Sequence, residues 1–399
     1  MATSPNFGWL EPDNTDLVKN GALAIRTLGD AIDASLVDLK GGTTGQVLAK
    51  ASNTDMDFVW ANDAAGGAPV NKNYLINGGF AVAQRGTSFT ASANNDDAYT
   101  LDRWYILSDT NDVIDVTQDT STVPTNGQFA IALDVETANK KFGIATIIEN
   151  KDVIGLVGNT VTFSFKAKVS STTKLDNVKA AIVAWSGTAD TVTSDIISAW
   201  GAEGTNPTLI ANATYENSPA NLSVTTSYAT YSVSAAVDTA STKNLILFVW
   251  SDVTDTTAGD FLYIAESKLE LGSTATAFVY AGGTIQGELA ACQRYYQRST
   301  GTAANTAYIC SGVAISTTRV FLNYASPVTM RTAPSVAQSS ASIGNGVISN
   351  QNITSIAYYS SGSLQQISLD ISVGSGLTAS GIFTLALPQN AYIELNAEL

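Results

Sequence analysis

Residues 71–86 read NKNYLINGGFAVAQRG and residues 99–107 read YTLDRWYIL. Each stretch sets an arginine, Arg85 or Arg103, in an apolar strand-like run, in a chain whose charged residues make up only 14%, against roughly 25% in ordinary soluble domains. A guanidinium in such a place is satisfied by a carboxylate or by loop carbonyls, and breaking a buried pair is costly whether or not the pair has a function. The acids that the first and last strands of one β-module offer are Asp102, Glu266 and Glu270. Arg85, Arg103, Asp102 and Glu270 are therefore read as architecture.

Outward from this point the text is strands at short intervals. VTFSFKAKV (161–169) alternates strictly, as a half-buried strand does. AAIVAW (180–185) and NLILFVW (244–250) are continuously apolar, as strands buried on both faces are. No long helical period intervenes, so residues 73–281 are expected to form a jelly-roll β-sandwich. In GGTIQGELAACQRYYQR (282–298) Ile285, Leu289, Cys292 and Tyr296 recur at four, three and four, which predicts a linking helix whose packed face includes Leu289 and Tyr296. Residues 299–399, with AYICSGVAI, RVFLNYA, ISLDISV and GIFTLAL, predict a second, small β-sandwich.

Toward the other end, residues 1–65 read as an extended arm carrying Phe7 and Trp9, a helix from Leu17 to about Leu39 capped by Asn14 or Thr15, and a hairpin of QVLAK and FVW. On the helix Gly21, Ile25, Leu28, Ile32, Ser35 and Leu39 alternate at four and three, a narrow seam suited to copies of itself or to another protein. Residues 66–72 form a linker. The fold class is thus mainly β, elongated, with an N-terminal helix and hairpin.

Composition closes several functional classes. The formal net charge of -15 offers no basic stripe for phosphate contacts, so no nucleic acid is expected. Histidine is absent, which removes the usual general base and the commonest metal ligand. Cys292 and Cys310 are too few for a disulfide framework or a zinc site and read as free thiols. No apolar run reaches membrane-spanning length, and the first residues lack a signal-peptide layout, which predicts synthesis in a cytoplasm without membrane insertion. Neither GGTTGQ nor GSGLTASG matches a nucleotide-binding loop, and the acidic runs SDTNDVID and SDVTDTTAGD lack the spacing of a calcium loop. No catalytic residue, cofactor or metal is expected.

NYLINGGFAVAQRGTSF, YTLDRW, YIAESKLELGSTATAFVYAGG and GELAACQRYYQR, in that order, resemble the jelly-roll modules of bacteriophage tail-fibre and related virion proteins. TSPNFGWLEPDNTD and GGTTGQVLAKASNTDMDFVW are similar to the N-terminal and shaft segments of such fibres, and SPVTMRTAPSV with AEL to their C-terminal modules. The jelly-roll layout is also similar to galactose-binding-like carbohydrate modules, although Gly79 stands where many of those carry an acidic residue. The resemblance implies a homotrimeric virion fibre, made in the host cytoplasm and attached by its N-terminal part to a tail, neck or capsid protein. Phe7, Trp9, Leu17, Ile25, Leu28 and Ile32 are the attachment candidates. Its distal β-modules would bind a host cell-surface glycan.

Aromatic faces pack on sugar rings, while Asn, Asp and Gln bind their hydroxyls. Trp185 and Trp250 end apolar strands and read as core. Trp200, beside the Gly-rich loop SAWGAEGTNP, and Tyr358 and Tyr359, beside SSGS, are the glycan-binding candidates. The competing readings are a capsid or neck decoration protein that meets no receptor, and a polysaccharide-depolymerising tailspike using paired carboxylates. The latter would favour a solenoid, and the sequence has no fixed repeat period.

Overall fold

The computed structural model describes residues 2–11, 17–43, 46–62, 72–302, 306–345, 350–359 and 363–399. It is mainly β and divides into two compact units, Met1–Val70 and Asn71–Leu399. The expected helix cap at Asn14 or Thr15 and the linker before Lys72 lie outside the described residues.

In the first unit the helix Gly21–Ser35 is flanked by single 3-10 turns, Val18–Asn20 and Val37–Leu39. The arm pairs Ala2–Thr3 with Leu10–Glu11 and is tied to the helix where the Trp9 indole donates to Ser35 Oγ at 3.2 Å. Gln46–Lys50 and Phe58–Asn62 form the expected hairpin, fixed by the Trp60 indole on the Lys40 carbonyl at 3.1 Å. Among the described residues of this unit only Ala24 is a buried apolar side chain. The seam is shared out accordingly: Leu28 and Ile32 are half-buried, Ile25 and Leu39 exposed. Most of the large apolar side chains that the described residues expose belong here, Leu17, Val18, Leu23 and Val37 among them.

The second unit opens with an antiparallel sandwich. One sheet has six strands in the order Ala229–Ala236, Thr160–Val169, Phe261–Leu271, Ala130–Val135, Ile114–Asp119 and Ser88–Phe89. The other has five, in the order Ala213–Tyr215, Val178–Trp185, Asn244–Ser251, Phe142–Ile148 and Tyr105–Ser108. Phe163, Phe165, Leu133, Ile264 and Leu269 of the first sheet meet Ile106, Ile144, Ile182 and Leu247 of the second in one core. The second sheet carries another cluster on its outer face, where Ile147, Val183, Phe248 and Trp250 lie under Val192, Ile196, Trp200 and Leu209 of the long connection after Trp185. Burial on both faces is why its strands are continuously apolar.

The 200–206 loop of that connection is pinned by charge. Lys141 and Lys179, both buried, share the carboxylate of Asp252, and Lys141 also donates to the Ala202 carbonyl at 2.8 Å while Lys179 reaches Asn206 Oδ1 at 2.9 Å.

NGGF is the crossing point of the sandwich. Asn77, fully buried at φ 57°, donates to the carbonyls of Val82 and Asp102 at 2.9 Å each and accepts from Val82 N–H at 3.0 Å. The Trp104 indole donates to the Asn77 carbonyl at 3.1 Å, and its ring packs 5.0 Å from Phe80. Gly78 passes so close to the strand Phe261–Leu271 that a Cβ there would lie 1.9 Å from the Ser267 carbonyl oxygen.

Beyond the helix Ile285–Gln293, the strands expected of a second sandwich close round into a barrel. Its order is Ala307–Ala314, Arg319–Ala325, Gln366–Val373, Gln351–Tyr358, Ser342–Gly344 and Ile382–Leu387. A three-stranded sheet of Tyr296–Thr300, Tyr392–Asn396 and Ser335–Ser339 flanks it. The linking helix differs from the reading of its period. Glu288 and Cys292 are its buried side chains, Ile285 and Leu289 are exposed, and Tyr296 is buried in the strand that follows. The reason is polar. Glu288 accepts from the backbone N–H of Asn77 and, at 2.7 Å, of Gly282, so its face turns inward.

Replacing Gly78 with Ala forces backbone apart at this crossing. The variant is expected to lose about 1–3 kcal/mol of stability, seen as a lower denaturation midpoint, whereas Gly155→Ala, where a Cβ meets nothing, is expected to shift it little.

Candidate functional site

Arg85 and Arg103 converge on one carboxylate, and it is not the one expected. Glu398 takes Arg103 Nη1 on Oε2 and Arg85 Nη2 on Oε1, the latter at 3.3 Å, and its side chain is only 4% exposed. Arg103 also donates to the Ile147 carbonyl, and it stacks on Tyr295 at 3.7 Å as Arg85 does on Tyr296 at 3.6 Å. Burial works most strongly against the Arg103 charge, but Glu398 together with Tyr295, Tyr99 and Cys292 outweighs it and holds the pKa above the ordinary value. Asp102 instead receives the Gln84 backbone and side-chain amides at 2.6 Å each. Glu270 pairs with Lys268 at 3.0 Å and caps Thr276 N–H at 2.8 Å. The acids of the first and last strands are thus used locally, and the arginines turn to the segment 397–399. That segment is held further by Arg331 on the Ala397 and Glu398 carbonyls, at 2.8 and 2.7 Å, and by the Tyr99 hydroxyl on the Leu399 carbonyl at 2.9 Å.

Beside this latch Arg294 grips Glu149 with two bonds, 3.0 and 2.7 Å, and the Tyr295 hydroxyl adds a third at 2.6 Å. Burial alone would raise the Glu149 pKa, yet these partners hold it below the usual carboxylate value. Asp97, at φ 65°, goes the other way: burial first, then Asp96 and Asp195, push it up to about 7.

The glycan candidates read from the sequence are not brought together. Trp200 is half-buried, edge-on to Phe248 with ring centres 6.0 Å apart. Tyr358 packs on the barrel core. Tyr359 is 41% exposed, but its ring lies 4.7 Å from Phe321. Of the attachment candidates, Phe7 stacks on Trp9 at 4.8 Å, Leu17 and Ile25 are exposed, and Leu28 and Ile32 are half-buried.

Two aromatic surfaces that single-residue reasoning missed lie on the outer face of the six-stranded sheet. Phe261 and Tyr263 stack side by side at 5.4 Å, next to Lys168 and Tyr228. The tyrosine hydroxyls there are already taken, however, since Tyr228 donates to the Thr122 carbonyl at 2.8 Å and the Thr122 hydroxyl bonds Tyr263.

The other surface is a groove of about 300 Å³ lined by Gly79, Asn126, Gln128, Glu266, Phe278 and Tyr280. Phe278 and Tyr280 meet edge to face at 5.2 Å directly over Gly79, where a Cβ would lie 2.7 Å from the Tyr280 ring. Glycine stands at this position because the aromatic wall occupies the space of any side chain. The opposite wall is the Asn126–Gly127 turn, with Asn126 at φ 65°. Glu266 enters from a β-bulge in the pairing of Thr160–Val169 with Phe261–Leu271, at φ 48°, and rests on Lys166 at 2.8 Å. Among the described residues the side-chain amides of Asn126 and Gln128 and the Tyr280 hydroxyl have no hydrogen-bond partner in the protein. Burial, with Glu288 and Glu266, raises the Tyr280 pKa, so its hydroxyl stays a neutral donor and acceptor. Aromatic rings beside uncommitted polar groups in a concave site are what a small polar ligand with apolar faces needs. The signals in the sequence are the Asn-Gly turn in TNGQF and the paired aromatics of FVY.

Among the described residues a carboxylate cluster, Asp112, Asp115 and Glu136, has oxygens within 4.8 Å of one another and could hold a divalent cation. Two of the three come from SDTNDVID. Cys292 and Cys310 are free thiols.

The chain matches no protein-family model and no curated protein. Among solved structures it is similar to the enzymatically active domain of tailspike protein 4 of bacteriophage CBA120, at 14% identity and a TM-score of 0.29, over 50% of this chain and 21% of that one. It is similar also to TmCBM61 in complex with β-1,4-galactotriose (13% identity, TM-score 0.25, 50% of this chain and 99% of that). A third is the CBM22-1 xylan-binding domain of Paenibacillus barcinonensis Xyn10C (14% identity, TM-score 0.26, 46% and 94%).

Glu398→Ala leaves Arg103 buried without its carboxylate and is expected to cost about 3–5 kcal/mol, measured by chemical denaturation. Asp97→Asn tests the raised carboxyl. Its folded pKa lies above the unfolded value, so the ionised group weakens the fold fully above about pH 7, and the penalty is relieved as the folded state takes up a proton on the way down to the unfolded pKa. Asn keeps the left-handed backbone, so the variant is expected to melt higher than the parent at pH 8 and equally near pH 4.

Proposed function

We propose that the chain is a structural fibre protein of a tailed bacteriophage, not an enzyme, anchored to the virion by its N-terminal unit and binding host surface glycans with its β-modules. The observation that carries the glycan reading is the groove over Gly79. Its Phe278 and Tyr280 rings can stack on the apolar face of a pyranose while Asn126, Gln128, Glu266 and Tyr280 bond its hydroxyls. The fibre reading is supported by the order of resembling segments and by the first unit, whose described residues bury one apolar side chain and expose many. Such a unit gains stability by association, and a homotrimer about the helix Gly21–Ser35, docked on a tail, neck or capsid protein, would cover Leu17, Ile25 and their neighbours. Binding at each groove is shallow, and several copies engaging one surface make adsorption effective.

Two measurements test this. Electron microscopy of virions labelled on the module after residue 299 is expected to find label at the far ends of tail-attached fibres. Label on capsid or neck would instead make it a decoration protein. On a glycan array the full chain is expected to bind a host saccharide, and Tyr280→Ala to weaken that binding at least tenfold with the melting temperature nearly unchanged. Binding that survives Tyr280→Ala and Phe278→Ala alike would rule out the groove.

A further inference from the structure

We infer that Glu266 makes the groove selective for uncharged saccharides over acidic ones, an inference that rests on the glycan reading and names the class of sugar.

Of the groove's lining residues Glu266 alone carries a fixed charge. The others are apolar, glycine, amide or the neutral Tyr280 phenol. Its charge is not there by default. A β-bulge places one extra residue in the strand, and that residue is a glutamate held at φ 48°, a backbone region in which glycine or asparagine would sit with less strain. Strain of this kind persists where the surroundings over-determine it, and it gathers at functional sites. Here the bulge re-aims the carboxylate from the sheet into the groove.

The pairing with Lys166 refines the point. Lys166 Nζ contacts Glu266 Oε2 at 2.8 Å, while Oε1 has no partner in the protein among the described residues. Lys166 therefore orients the carboxylate without lining the groove. The open oxygen accepts hydrogen bonds and has no proton to give. Neutral hexoses and N-acetylhexosamines present hydroxyl and amide donors to it. A uronic or sialic acid whose carboxylate entered the same groove would face a like charge in a partly desolvated site, where repulsion is weakly screened. The amides of Asn126 and Gln128 serve either class, so discrimination falls to Glu266.

The test is an array of neutral hexosides and N-acetylhexosamines, each matched with its uronic acid or sialylated counterpart, probed with the full chain and with Glu266→Gln in 0.15 M salt. Gln keeps the shape and removes the charge, and thermal melting reports the fold of each protein. The parent is expected to bind the neutral member of the best pair at least tenfold more tightly, and Glu266→Gln to narrow that gap to threefold or less. Equal binding of both members by the parent, or a gap that Glu266→Gln leaves unchanged, overturns the inference and leaves the glycan reading standing. Binding of no saccharide of either class overturns both.

Discussion

A buried guanidinium organises the second unit. Arg103 is 2% exposed, between the two β-modules, and a charge so placed is tolerated only when a carboxylate and carbonyls surround it. Glu398, the Ile147 carbonyl and the Tyr295 face do so, and they come from the C-terminal segment, the inner region of the five-stranded sheet and the end of the linking helix. Three parts of the chain are thereby fixed to one point. The neighbouring pairs, Arg294 with Glu149 and Arg298 stacked at 3.7 Å on Tyr392, extend the same seam. The sandwich and barrel are joined by charge and aromatic faces where two separate domains would be joined by a flexible linker.

The groove depends on a different economy. The backbone of NGGF crosses the last long strand at a distance that admits only Gly78, and Gly79 then leaves room for Phe278 and Tyr280 to close over it. The outer face of the six-stranded sheet is left half-open, and its bulge supplies the one charged group of the site. The flat pair Phe261 and Tyr263 shows the contrast. Equal in aromatic content, it has its single hydroxyl, like that of the neighbouring Tyr228, engaged by Thr122 and has little left with which to orient a ligand.

Much of this was legible in the sequence, because strands announce themselves by short-range pattern. The strict alternation of VTFSFKAKV and the unbroken apolar runs of AAIVAW and NLILFVW correspond to one sheet with an open face and one covered on both. Period failed where polarity overruled it. Ile285 and Leu289 have the spacing of a buried face, but Glu288 finds two backbone donors and takes the inner side. Long-range pairing was illegible for another reason. Asp102, Glu266 and Glu270 were the nearest acids by strand order, and nothing local in Arg85 or Arg103 points to a residue in the segment AEL. The groove escaped because each of its residues is ordinary alone, and only the crossing at Gly78 brings the 126–128 turn, the bulge and FVY together.

The distance along the chain between Arg103 and Glu398 has a further consequence. During synthesis the ribosome releases Arg103 long before residue 398 exists, so the sandwich must first assemble with that cation unneutralised or hydrated. The latch therefore closes only after residue 398 has emerged, and a chain broken off before it keeps a weakened sandwich that opens more readily to proteolysis.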